Sequence, residues 1–369
     1  MTIRLALVIP TMDQGGAEKQ LCLLAENLPP DQFDVRVFLL TRDGPLSDRL
    51  RRAGVEVVVI GKRFKADPTA LFRLRKHFQS FQPDIVHTWL FAANSFGRVA
   101  ARMASVPRIM ASERCVDLWK TAAHFLIDRR LAGFTETITV NSQGIADFYA
   151  GHGIPASKFR VIHNGITPSS DANSEESKPT DSAWARESLQ IVDDRRLILA
   201  VGRLWPQKRY RDLIWAAELM ATMRGDTTLV IVGDGPQSAE LLRHRDAVST
   251  PLHVRFAGHR SDVASLLPHA DVFWIGSEYE GQSNSVIEAM QAGVPVVASD
   301  IPGNRDLVVP GETGFIVELG DTADFARQTH KLLEDPELAR QMGESAKTRI
   351  ANEFSVEKMV DAYVDLYRS

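Results

Sequence analysis

Along the first 165 residues, short apolar runs alternate with amphipathic helical windows. The runs are LALVI (5–9), VRVFLL (35–40), VEVVVI (55–60), DIVHTW (84–89), RIMAS (108–112), TITV (137–140) and FRVIH (159–163). Near-continuous apolar strands with helices between them predict a parallel sheet covered on both faces. The texture changes at PSSDANSEESKPTDSAW (168–184), rich in Ser, Pro and acids with almost nothing to bury, which predicts a linker or loop over 166–195. A second alternation follows, with strands expected at LILAVG (197–202), TLVIVG (228–233), VRFAG (254–258), VFWIG (272–276) and PVVAS (295–299). The windows 336–351 and 355–368 read as helices, and the last carries Val356, Met359, Val360, Tyr363, Val364 and Tyr367 on one stripe that needs something to pack against. The pattern predicts α/β architecture: a doubly wound domain over 1–165, a linker over 166–195, a second Rossmann-like domain over 196–350, and a C-terminal helical segment over 351–369.

Composition narrows the class. The chain has 369 residues, 44% hydrophobic and 24% charged, enough for two soluble domains with separate cores. Cys22 and Cys115 stand far apart with no Cys/His cluster near either, so neither a disulfide framework nor a zinc site is indicated and a cytoplasmic setting is expected. The apolar run before Pro10 is too short for an export signal, and no run approaches the ~20 residues of a membrane span. Charge is uneven: residues 1–165 hold 22 Lys+Arg against 15 Asp+Glu, a net +7, and the remainder nets −11. A basic half is compatible with peripheral contact at the inner membrane leaflet, each cation contributing about 1 kcal/mol near anionic lipid, and equally with solvated helix faces. No nucleic-acid partner is expected.

In open α/β sheets ligands sit beyond the carboxyl ends of the strands, so two such domains facing each other would place a site in the cleft. The first strand ends in IPTMDQGGAEKQ, where Gly15 and Gly16 precede a helix and let a ligand approach the backbone; a tight turn alone explains them as well. In LILAVGRLWPQKRY, Arg203 and Lys208 follow a strand end beside a helix start, a pairing suited to a diphosphate. VIVGDGPQ (230–237) reads as a turn, and FAGHRSDV (256–263) puts His259 and Arg260 at a strand end. VFWIGSEYEGQSNSVIEAMQAG places Glu280 before a helix capped by Ser283 or Asn284 and stopped at Gly293, with Glu288 after the first turn.

SEYEGQSNSVIEAMQAGVPVVASDIPGNRDLV resembles the E-G…E-A-M signature of retaining glycosyltransferases of the group 1 (family four) type, which have the GT-B fold. The Gly-Gly turn, G-R-L-x-x-x-K at 202–208 and VIHNGI (161–166) match the family in the same order along nearly the whole chain. The resemblance implies GT-B architecture, with the C-terminal helix packing back on the N-domain. It also implies transfer of a sugar from a nucleotide sugar, UDP- or GDP-linked, to a glycan or lipid-linked acceptor in polysaccharide or cell-envelope synthesis, with retained configuration. By position, Arg203 and Lys208 would hold the diphosphate, Glu288 the ribose, and Glu280 the donor sugar as a catalytic group. Gln282, Ser283, Asn284 and Ser285 would line the sugar-phosphate, and His259 and Arg260 would contact the base. His87, in PDIVHTW, would border the reaction centre beside Gly15 and Gly16. Trp89 stands where the family has a second histidine, Arg209 replaces a usual Gly, and Thr167 replaces the Asp of N-G-I-D. No D-x-D element stands at a strand end, so neither metal nor cofactor is expected. A nucleotide-sugar epimerase of similar fold and a non-catalytic nucleotide-sugar binding partner stay open as alternatives.

Overall fold

The computed structural model describes residues 2–167, 181–192 and 194–369. The chain divides into two compact units: one runs to Gly165 and resumes at Val356–Ser369, and the other is Ile166–Ser355. In the first unit seven strands form one sheet: β1 (Ile3–Ile9), β2 (Phe33–Leu39), β3 (Glu56–Val59), β4 (Ile85–Trp89), β5 (Arg108–Glu113), β6 (Ile138–Val140) and β7 (Phe159–Val161). All pairings are parallel, in the order β3-β2-β1-β4-β5-β6-β7. The apolar runs are buried on both faces because helices cover both: Leu5, Leu7 and Ile9 of β1 face one cluster, and Ala6 and Val8 face the other. The strand-helix alternation in the sequence is therefore the covered parallel sheet it predicts.

The C-terminal helix Val356–Arg368 belongs to this unit. Its stripe of Val356, Met359, Val360, Tyr363 and Tyr367 packs with Leu21, Leu24, Phe33 and Trp89. Inside that junction Gln20 of helix Gly16–Asn27 grips Gly165, donating from Nε2 to its carbonyl at 2.9 Å and accepting its N–H at 2.8 Å. A Cβ on Gly165 would lie 2.9 Å from the Val356 Cα, so the Asn-Gly of VIHNGI is held by close packing.

The second unit has six parallel strands: β8 (Arg196–Val201), β9 (Thr227–Val232), β10 (Val254–Gly258), β11 (Val272–Ile275), β12 (Val296–Ser299) and β13 (Gly314–Val317), in the order β10-β9-β8-β11-β12-β13. β13 was not among the expected strands: GFIV is a four-residue run at the sheet edge, held by Val296, Val297, Ala298 and Ser299 of β12. The expected loop at 166–195 also needs correction. Residues 168–180 and Asp193 lie outside the described residues, but Ser182–Ser188 is a helix capped by the Asp181 carboxylate, which accepts the Trp184 N–H at 2.8 Å. Ala185 and Leu189 are buried in the second unit's core, so this segment is part of that domain's packing. Among the described residues no helix is long and apolar enough to cross a membrane.

Candidate functional site

The site is built on the carboxyl ends of β8, β9 and β11 in the second unit. After β8 the chain turns through Gly202-Arg203-Leu204, and after β9 through Gly233-Asp234-Gly235. The two turns lock together: Gly202 N–H donates to Val232 O at 3.0 Å and Leu204 N–H to Asp234 O at 3.0 Å. A Cβ on Gly233 would overlap the Gly202 carbonyl, and one on Gly235 would overlap the Leu204 backbone. Glycine is required there by backbone contact, a reason that reading the segment as a turn does not supply.

The single turn Pro206–Lys208 then leads into helix Tyr210–Met223 through Arg209, which holds a left-handed φ of 51°. A glycine would adopt that conformation without steric cost. Here Arg209 Nε donates to Asp212 Oδ2 at 2.6 Å across the helix start.

Lys208 and Glu280, assigned separately to diphosphate and sugar, are paired with each other: Lys208 Nζ bonds Glu280 Oε1, and Ser277 Oγ donates to the same oxygen at 2.9 Å. Both charged side chains are largely covered, 15% and 11% exposed, so their attraction is only weakly screened. A relay of buried polar groups sets the loop: Asn304 Nδ2 donates to Ser299 O at 2.8 Å, and Ser299 Oγ to Ser277 O at 2.5 Å. Glu278 N–H reaches back to Gln207 O at 2.8 Å, and Gly303 lies so close to Gly281 O that a Cβ would overlap it. Tyr210, buried beside Lys208, has its hydroxyl pKa raised by burial and by the Glu280 charge. Ser277, Ser299, Asn304 and Tyr210 were not among the expected site residues. Ser277 opens the SEYEGQ run three residues before Glu280, and that position was the one available signal.

Gln282 and Ser283 are buried behind this group. Ser283 occupies the cap position of helix Asn284–Gln291, yet its hydroxyl meets Ser285 Oγ at 3.0 Å and no side chain caps the helix. Asn284 and Ser285 open the helix and Glu288 follows in its second turn, all partly exposed. Arg203 and His259 are exposed. Arg260 is committed to structure: it grips Asp262 at 2.8 and 2.6 Å and donates to Ser188 O at 3.0 Å, tying down the 182–188 helix. The Arg260 guanidinium is thereby engaged within the second unit.

Gly15, Gly16 and His87 lie in the first unit. Gly15 is extended, with φ −85° and ψ 166°, and a Cβ there would overlap the Glu18 carboxylate. His87 corrects an expectation. It is fully buried, its Nδ1 lies 2.7 Å from the Tyr367 hydroxyl and its Nε2 3.2 Å from the Thr139 hydroxyl, and burial lowers its pKa to about 3. Both ring nitrogens are used inside the core, so His87 pins the C-terminal helix to β6 and does not border a reaction centre.

A model of glycosyl transferases group 1 matches residues 181–349, and one of glycosyltransferase family 4 matches residues 14–170. The chain belongs to the group 1 glycosyltransferases. Among relatives of this family, it is 29% identical to the UDP-Gal:α-D-GlcNAc-diphosphoundecaprenol α-1,3-galactosyltransferase of Escherichia coli, over 93% of this chain and 90% of that one. It is 28% identical to the putative glycosyltransferase EpsD of Bacillus subtilis (strain 168), over 83% and 82% of the two chains. Anabaena HepE, solved in complex with UDP-glucose, superposes with a TM-score of 0.88 at 22% identity over the whole of both chains, so the glycosyltransferase has the GT-B fold. In this family frame the Lys208–Glu280 group falls within the group 1 match, and the Gly-Gly turn within the family 4 match.

Proposed function

We propose that the protein transfers a sugar from a nucleotide sugar to a glycan or lipid-linked acceptor with retention of anomeric configuration, in cell-envelope polysaccharide synthesis. The observation that carries this reading is the Lys208–Glu280–Ser277 group beside the uncapped start of helix Asn284–Gln291. Lys208 presents one cation to a diphosphate, and exposed Arg203 adds a second that can bind it bidentately. The helix start contributes its dipole to the same negative charge. Glu280 spends Oε1 on Lys208 and Ser277, which leaves Oε2 to accept donor-sugar hydroxyls, while Glu288 takes the ribose. His259 faces the base.

The chemistry asked of the protein is electrostatic. As the bond to the leaving diphosphate breaks, Lys208 and Arg203 neutralise the charge that develops there, and the departing phosphate oxygen accepts the acceptor's proton on the same face. No metal is part of this mechanism. The HepE complex supports a UDP-sugar donor, and the E. coli relative supports an acceptor carried on a lipid diphosphate, which would bring the basic first unit to the inner leaflet. The test is thermal-shift screening of UDP-, GDP- and ADP-sugars, since a tight donor stabilises the fold by RT ln(1 + [L]/Kd). Transfer is then assayed with the stabilising donor, before and after chelation of divalent metal. Donor epimerisation without acceptor, or binding with no transfer to any acceptor, overturns the proposal, and activity restored only by Mn²⁺ overturns its metal-free part.

A further inference from the structure

Among the described residues, the carboxyl edge of the first unit's sheet holds a buried cation with no carboxylate partner. Arg114 directly follows β5 and keeps only 7% of its surface exposed. One guanidinium nitrogen bonds Asn164 Oδ1, another lies 3.5 Å from the Tyr363 hydroxyl, and the group sits 4.8 Å from the Trp89 ring centroid. Among the described residues no carboxylate pairs with it, and its Nε has no hydrogen-bond partner. Two neighbours share that condition. Trp89, the last residue of β4, has an unpartnered Nε1, and Asn141, which follows β6 and donates to the same Asn164 Oδ1 at 3.2 Å, has an unpartnered Oδ1. Burial lowers the Arg114 pKa, yet a guanidinium stays charged in proteins.

An uncompensated buried charge costs several kcal/mol, and the same unit shows the ordinary remedy. Arg98, 1% exposed, is paired with Asp128 at 3.2 Å. Arg114 lacks such a partner on adjacent strand ends β4, β5 and β6, the edge where open α/β sheets bind ligands. Two N–H donors and one oxygen acceptor are left over, a set that suits an anion bearing or adjoining a hydroxyl group.

We propose that Arg114, with Trp89 and Asn141, forms a phosphate-binding site in the first unit. Arg114 Nε and Trp89 Nε1 donate to phosphate oxygens, and Asn141 Oδ1 accepts a hydroxyl of the attached group. That the phosphate is the acceptor's rests on the proposed transferase function, whereas the site itself does not.

The test is thermal unfolding of the full chain with inorganic pyrophosphate while UDP saturates the donor site. Pyrophosphate is expected to raise the wild-type Tm by roughly 2–4 °C, to do the same to Lys208→Ala without UDP, and to have no effect on Arg114→Met. Arg114→Lys, which keeps the charge in case the Met variant does not fold, is expected to need at least threefold more pyrophosphate for the same shift. A wild type that pyrophosphate does not stabilise in saturating UDP, or a shift that survives both Arg114 substitutions, overturns the site. Farnesyl diphosphate acting at lower concentration than pyrophosphate assigns the site to lipid-carried phosphate, and equal potency assigns it to soluble phosphate. If the protein transfers no sugar yet Arg114→Met abolishes the shift, the functional reading fails and the site stands.

Discussion

The carboxyl edges of the two sheets carry cations in opposite states. In the second unit Lys208 is matched by Glu280, and Ser277, Ser299 and Asn304 hold that carboxylate in place. In the first unit Arg114 is buried among Trp89, Tyr363 and Asn164 with no carboxylate partner among the described residues. Immediately beside it the pattern reverses again: Lys120 meets Asp128 at 3.0 Å and Glu113 at 3.4 Å, Arg98 meets Asp128, and burial raises the Glu113 pKa to about 7. A paired cation at a strand end is ready to be shared with an incoming anion, since its partner can turn to other donors. An unpaired one, on the inference above, can take its counter-charge from a bound anion.

That contrast can be broken by measurement. The largest effect is expected at the paired interior: Asp128→Asn strands Arg98, while Lys120 keeps Glu113 and Asp117, and should lower unfolding free energy by about 3–5 kcal/mol in urea. Arg114→Met, which removes an unpaired charge, should show no comparable loss, and equal losses would mean that Arg114 is a structural ion like Arg98. Next, Lys208→Ala and Glu280→Gln should each lower kcat by about 10²–10³, the scale of one preorganised electrostatic group. A change below roughly threefold at both positions would remove the second unit's edge as the site.

His87 supplies a pH test. Its folded pKa is depressed to about 3, so between pH 6.5 and 3 the unfolded chain binds a proton that the folded chain does not. Stability from this group is therefore present above pH 6.5 and falls as pH drops, by up to about 1.4 kcal/mol per unit. Urea midpoints at pH 6.5, 5.5 and 4.5 should fall more steeply for the wild type than for His87→Gln, and identical slopes would return the imidazole to an accessible, titrating role. The smallest effect is expected at Arg209→Gly, where relief of a left-handed φ offsets the lost Asp212 bond. A stability change beyond about 1 kcal/mol would mean that the turn before helix Tyr210–Met223 depends on the arginine.

Much of the fold was legible because it is written in local periodicity. LALVI, RIMAS and LILAVG are β-rich runs between amphipathic windows, and each became a buried parallel strand. The C-terminal stripe was legible as an apolar face, and it packs on the first unit. GFIV was missed because four residues carry too little pattern, and its strand exists through pairing with β12. The helix at 182–188 was missed because Ser, Asp and Glu around it read as linker, while its stability comes from burying Ala185 and Leu189 in a core assembled far along the chain.

The alternation of strands and helices, the glycine positions and the family signature are all present in the linear chain, since each depends on residues close together or on their order. What each charge meets was settled by folding. Lys208 and Glu280 are 72 residues apart, His87 and Tyr367 are 280 apart, and Arg114 and Asn164 are 50 apart. Whether a polar group is paired, buried or left over depends on what folding brings within about 3 Å of it. For that reason His87 left the candidate site, Ser277 and Asn304 entered it, and Arg114 came into view.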